Sequence, residues 1–125
     1  MKQIFAEKAP AAIGPYCHAV VHGDMVFCSG QIPLDPKTMT IVGATIEEQT
    51  AQVMKNIETV LSEVGTTLNK IVKTTIFLDT MDDFMGMNTV YEDCLNGHKP
   101  ARSAFEVGRL PKDALIEIEC IAVIE

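Results

Sequence analysis

The first regular pattern along the chain is a pair of short apolar runs, Ala19-Val20-Val21-His22 and Met25-Val26-Phe27-Cys28-Ser29, separated by Gly23-Asp24. A two-residue connection led by glycine suits a tight hairpin turn, whose first central position needs a positive φ. The next stretch, Gly30-Gln31-Ile32-Pro33-Leu34-Asp35-Pro36-Lys37, holds two prolines and a glycine and predicts a loop. From Thr45 the period changes to that of a helix. Ile46, Thr50, Val53, Ile57, Val60, Leu61 and Val64 recur on one face, Thr45 with Glu48 has the form of a capping box, and Gly65 supplies a stop.

Ile71-Val72-Lys73-Thr74-Thr75-Ile76-Phe77-Leu78 is dense in β-branched and aromatic residues, which predicts a largely buried, central strand. Thr80 to Asp83 offer polar starters for a second helix, with Phe84, Met87, Val90, Tyr91, Cys94 and Leu95 on one stripe and Gly97 as the stop. A further strand is expected after Ser103. At the end, Ile116, Ile118, Cys120, Ala122 and Ile124 alternate with Glu117, Glu119, Ile121, Val123 and Glu125, giving an apolar face and a face that turns from acidic to apolar.

Strands, helix, strand, helix and further strands describe an α+β domain, a mixed β-sheet with two helices on one face. Its 125 residues are the usual size of one domain, so 1–125 is read as a single unit. The helices leave one sheet face uncovered, and Ile121, Val123 and one side of Ile71 to Leu78 would be apolar there. Such a face calls for burial by other copies of the chain, a homo-oligomer.

Composition narrows the setting. No apolar run approaches the ~20 residues that span a bilayer, so no membrane partner is expected. Met1 to Lys8 lack the apolar stretch of a secretory signal, and a cytoplasmic location is expected. A net charge of −7 disfavours nucleic acid as a partner. Cys17, Cys28, Cys94 and Cys120 form no CxxC pair and suit reduced core thiols. A metal held by Cys17, His18, His22 and Cys28 fails on distance, since residues four apart on a strand lie roughly 13 Å from one another, and no metal is expected.

The chain has no GxGxxG, GxxxxGK[ST], HExxH or GxSxG, so dinucleotide, triphosphate, zinc-protease and hydrolase-elbow chemistries lack support. What remains is a set of polar residues in apolar or glycine-rich company: Tyr16, Ser29, Asn88, Arg102 and Glu117. Each has an ordinary reading. An arginine most often forms a surface ion pair, although Pro100 restricts the backbone before Arg102 and would let it present a rigid fork to a carboxylate. Glu117 shares its strand face with Glu119, and two such carboxylates commonly mark a wet face. Tyr16 and Ser29 can be a core-edge phenol and a strand-end hydroxyl, and Asn88 can bond a nearby backbone.

Taken together, Ala12-Ile13-Gly14-Pro15-Tyr16, Cys28-Ser29-Gly30-Gln31-Ile32-Pro33, Ile71-Val72-Lys73-Thr74-Thr75, Asp83-Phe84 with Asn88 and Tyr91, Pro100-Ala101-Arg102-Ser103, Arg109-Leu110-Pro111 and Ile116-Glu117-Ile118-Glu119 closely resemble the RidA (YjgF) reactive-intermediate deaminase family. The match runs from about Ala9 to the C-terminus. The resemblance implies a chorismate-mutase-like fold, a homotrimer with clefts between subunits, and no cofactor. It further implies hydrolysis of 2-imino acids such as 2-iminobutanoate and 2-iminopropanoate to 2-keto acids and ammonia. Carried over by position, Arg102 binds the substrate carboxylate, Glu117 activates water, and Tyr16, Ser29, Asn88 and Ala104 line the pocket. This chain departs from the family at His18, where glutamine is usual, at Ala104, where some members carry cysteine, and at Lys99, where an aromatic is common. It is also shorter between Tyr91 and Pro100.

Two other readings compete. A non-catalytic module could sense small carboxylates or amino acids through the same Arg102 fork, since fold does not dictate activity. The RNA-cleaving activity attached to some names in the family is disfavoured by the acidic charge and by the lack of a basic stripe interleaved with aromatics.

Overall fold

Gly23 takes a φ of +62 while Asp24 stays outside the left-handed region, and together they join β2 (Ala19–His22) to β3 (Met25–Gln31) as the sequence predicts. The structure, a computed structural model, describes residues 1–125. Helix α1 (Ile46–Glu63) starts in a complete capping box: Glu48 N–H donates to Thr45 Oγ1 at 3.2 Å, and Thr45 N–H donates to the Glu48 carboxylate at 3.3 Å. Strand β4 (Ile71–Leu78), helix α2 (Phe84–Leu95), β5 (Ala101–Glu106) and β6 (Ile116–Val123) follow, and a short β1 (Lys2–Ile4) precedes the hairpin.

The strands form one sheet in the order β1-β2-β3-β6-β4-β5. Only β4 and β5 are parallel; α2 makes the crossover that a parallel pair requires. On one face Val26, Cys28, Thr74, Ile76, Leu78, Ile116, Ile118, Cys120 and Ala122 are buried. They meet Val53, Met54, Ile57, Val60 and Leu61 of α1 and Met87, Tyr91 and Leu95 of α2, so both helices lie on that face. The opposite face carries the alternate residues. Phe27 pairs with Ile121, and Phe77 lies between Phe105 and Glu117. Phe27 and Phe105 are 44% and 52% exposed there, an apolar surface that nothing in the chain covers.

Three local expectations change, and one strand is new. The strand near Ser103 begins at Ala101, so Arg102 lies inside β5 and is mounted by pairing with β4 as well as by Pro100. Helix α2 ends at Asn96, which takes the left-handed conformation (φ +48) ahead of Gly97. Thr80 to Asp83 do not start α2 directly but form a 3-10 turn, with Thr80 accepting from Asp82 N–H at 3.1 Å. Strand β1 escapes the sequence pattern because three residues with one buried side chain, Ile4, carry no readable period.

Two buried amides of α1 hold the irregular segments. Asn56 donates to the Ile32 and Leu34 carbonyls at 3.2 and 3.0 Å, and Gln49 accepts from Leu115 N–H at 2.8 Å. These bonds fix the proline-rich loop and the approach to β6. Buried His18 does the same for the N-terminal segment: Ala6 N–H donates to Nδ1 at 3.0 Å, and Nε2–H donates to the Pro10 carbonyl at 2.7 Å. No helix is long and apolar enough to cross a membrane.

Candidate active site

Glu117 stands on β6, on the helix-free face, opposite a break in β3. Cys28 pairs with Cys120 and Gln31 with Ile118, so Ser29 and Gly30 together oppose the single residue Glu119, a β-bulge. The bulge lets Cys28 and Gln31 both face the helices while Ser29 faces away. Ser29 Oγ donates to the Cys17 carbonyl at 2.7 Å, which fixes its rotamer and ties β3 to the segment that carries Tyr16. Tyr16, Ser29, Gly30 and Glu117 line one cleft of 420 Å³, together with Ile32 and Lys112. Burial pushes the Glu117 carboxyl above the ordinary carboxylate range, and the neighbouring Glu119 charge adds to the rise. A half-buried carboxylate raised in this way is a stronger proton acceptor than an exposed one.

Arg102 stands on β5 beside α2. Its Nη1 donates to Asn88 Oδ1 at 2.6 Å, and its guanidinium carbon sits 5.4 Å from the ring centroids of both Phe84 and Tyr91. Cation–π contact with two rings holds the fork without a carboxylate. The ion pairs of the chain are Lys70–Glu125 and Arg109–Asp113, so Arg102 does not have the ordinary surface partner. Tyr91 is itself anchored by a 2.7 Å hydrogen bond between its hydroxyl and Thr74, and burial raises its phenol. Asn88, Tyr91, Lys99 and Arg102 line a second cleft, of 430 Å³.

The two clefts do not meet. Arg102 is paired with Thr74 and Glu117 with Phe77, and residues three apart on β4 face opposite ways. Thr74 is buried under α2; Phe77 faces the uncovered side. One chain therefore brings Tyr16, Ser29 and Glu117 together, and separately Asn88 and Arg102. Ala104 shares the face of Arg102 but packs against the core and lines neither cleft.

Residue-by-residue reading missed Phe84 and Tyr91 as cradles for the cation. Their spacing puts them on one helical stripe with Met87, which predicts core positions. Of the metal candidates weighed from the sequence, His18 and Cys28 are engaged in holding the fold. Both nitrogens of His18 serve the backbone, and Cys28 faces Cys120 in the core, where the neighbouring Cys28 thiol and then burial push the Cys120 thiol up.

Comparison with known proteins extends this picture. The profile of the family described as endoribonuclease L-PSP matches residues 6–124. A RutC family protein of Pyrococcus abyssi is 52% identical over 119 residues, 95% of this chain and 94% of that one. A Salmonella typhimurium protein named 2-iminobutanoate/2-iminopropanoate deaminase is 47% identical over 125 residues, 98% of this chain and 97% of its own length. Among solved structures, the Escherichia coli YjgF gene product gives a TM-score of 0.95 at 44% identity, and E. coli TdcF with bound serine gives 0.95 at 40%. Each covers 100% of both chains.

Proposed function

Because the chain belongs to the endoribonuclease L-PSP family, the family of YjgF, we propose that it hydrolyses 2-imino acids such as 2-iminobutanoate and 2-iminopropanoate to 2-keto acids and ammonia. The observation that carries this reading is the state of Arg102, a guanidinium gripped by an amide and two rings with no carboxylate of its own chain. It leaves a bidentate anion site open for a substrate carboxylate.

The chemistry needs little more. The C2 atom of a protonated imine is electrophilic, so a bound water adds to it as Glu117 takes a water proton. The resulting carbinolamine collapses as Glu117 returns the proton to nitrogen and takes the hydroxyl proton in its place: the C–N bond breaks, the C=O bond forms, and ammonia leaves the 2-keto acid. Tyr16 and Ser29 line the side where water is activated; Asn88 orients Arg102. No cofactor enters the scheme.

Since Arg102 and Glu117 lie on opposite faces of one chain, the reading requires the Arg102 half of one subunit to meet the Glu117 half of a neighbour. A homotrimer in the chorismate-mutase-like arrangement, with each 1–125 chain as one domain, buries the exposed Phe27 and Phe105 face and forms such clefts. The TdcF structure with bound serine and the Salmonella deaminase name support a small amino-acid-like substrate. RNA is a poorer match to a chain of net charge −7.

The test feeds threonine to a pyridoxal-phosphate-dependent dehydratase, traps the released imine with semicarbazide, and measures how far this protein lowers trapping. Wild type is expected to suppress it and Arg102→Ala to leave it unchanged. Equal behaviour of the two overturns the reading. Carboxylate binding without turnover assigns the protein instead to small-molecule sensing.

A further inference from the structure

We propose that Gly30 is a positioning residue for Glu117: it is glycine because the Glu117 carboxyl group rests where any Cβ on residue 30 would lie. The argument begins with what glycine is not needed for. Gly30 is absent from the positive-φ residues, unlike Gly14, Gly23, Gly43, Gly65 and Gly97, so its backbone conformation is open to any L-residue. Space is the constraint instead. A Cβ built there collides with Glu117 Oε2 and comes within 2.9 Å of Cδ and 3.1 Å of Cγ. The three atoms nearest such a Cβ all belong to the carboxyl end of Glu117.

The bulge explains why the seat exists. Ser29 and Gly30 are the two residues set against Glu119 alone, so β3 bends where Glu117, one turn of the pleat along β6, leans across it. Gly30 supplies the floor of the 420 Å³ cleft, while Ser29, bonded to the Cys17 carbonyl, keeps the bulge from sliding. A Cβ at position 30 would lift the carboxylate off this floor towards the cleft mouth. It would then lose the aim that places water against a substrate held from the Arg102 side.

The proposal rests on Glu117 acting as the base in the reading above. Wild-type protein without deaminase activity defeats that reading; wild-type activity with an indifferent Gly30 defeats only this one. The experiment measures kcat, KM and the pH dependence of kcat for wild type, Gly30→Ala, Glu117→Asp and the double variant. A displaced carboxylate is expected to lower kcat by about tenfold to a hundredfold in Gly30→Ala, with KM, set by Arg102, little changed. The acid limb of the kcat profile is expected to move to lower pH as the carboxylate becomes better solvated. In the Glu117→Asp background, whose side chain is one methylene shorter, Gly30→Ala is expected to cost less than about threefold, because the collision is relieved. Equal losses in both backgrounds, or a rise in KM with kcat intact, would overturn the proposal. If Gly30→Ala does not fold, the double variant decides. Folding with the melting temperature of Glu117→Asp alone identifies the collision as the cause, and failure to fold in both shows that the backbone itself demands glycine.

Discussion

Arg102 and Glu117 project from opposite faces of one sheet, Arg102 through its pairing with Thr74 under α2 and Glu117 through its pairing with Phe77 on the uncovered side. Neither can serve the other within a chain. If they act on one substrate, they come from different subunits, and two inactive variants should complement. Mixed refolding of Arg102→Ala and Glu117→Gln chains in equal amounts should restore about a quarter of wild-type activity, the share of clefts that receive both intact halves by chance. Activity no higher than that of either variant alone would place the site within one chain or elsewhere.

The raised carboxyl of Glu117 has consequences for rate and for stability. In the proposed reaction turnover needs its ionised form, so the acid limb should lie above the ~4.3 of a free glutamate. Because Glu119 is the second cause of the rise, after burial, Glu119→Gln should move that limb to lower pH. For stability, the native state holds this proton to higher pH than the unfolded chain does. Stability from this group therefore falls as pH climbs from the unfolded value through the raised native one. Glu117→Gln should accordingly melt higher than wild type at pH 7 while losing turnover by about a hundredfold or more. A lower melting temperature for Glu117→Gln would show that the ionised carboxylate stabilises its cleft.

Asn88 offers a contrast between removing an orienting group and competing with the substrate. Asn88→Ala loses the 2.6 Å bond to Arg102 but leaves Phe84 and Tyr91 beside the guanidinium, so KM should rise only a few-fold. Asn88→Asp puts a carboxylate within reach of the same fork and should neutralise it, raising KM by about tenfold or more with a smaller change in kcat. Steady-state kinetics on the two variants would separate them, and a weaker effect for Asp than for Ala would remove Arg102 from anion binding.

The elements whose burial repeats locally were legible in the chain itself. The capping box of Thr45 and Glu48, the stripe from Ile46 to Leu61, and the alternation from Ile116 to Val123 are all carried by residues close in sequence. What could not be read depends on partners far apart. The bulge at Ser29 and Gly30 exists only in register with β6, and the mount of Arg102 only in register with β4. The division of the candidate residues between two faces requires the order β3-β6-β4-β5, because alternation says which residues share a face without saying which strands are neighbours. The helical stripe predicts core positions for Phe84 and Tyr91, which holds for the body of Tyr91, while their ring faces meet a cation.

His18 clasps the N-terminal segment to the start of β2. With Nδ1 accepting from Ala6 N–H and Nε2–H donating to the Pro10 carbonyl, it satisfies two backbone groups of the segment that continues to Tyr16. Removing it strands both in a buried site, and His18→Ala should cost about 2–4 kcal/mol of stability. Glutamine can make the same two bonds, its carbonyl oxygen accepting and its amide donating, so His18→Gln should stay within about 1 kcal/mol of wild type. Amide exchange at Ala6 checks the mechanism apart from global stability: it should quicken in His18→Ala and remain protected in His18→Gln. If both variants lose stability and protection equally, the ring's shape rather than its two hydrogen bonds holds the segment, and the clasp is a packing device.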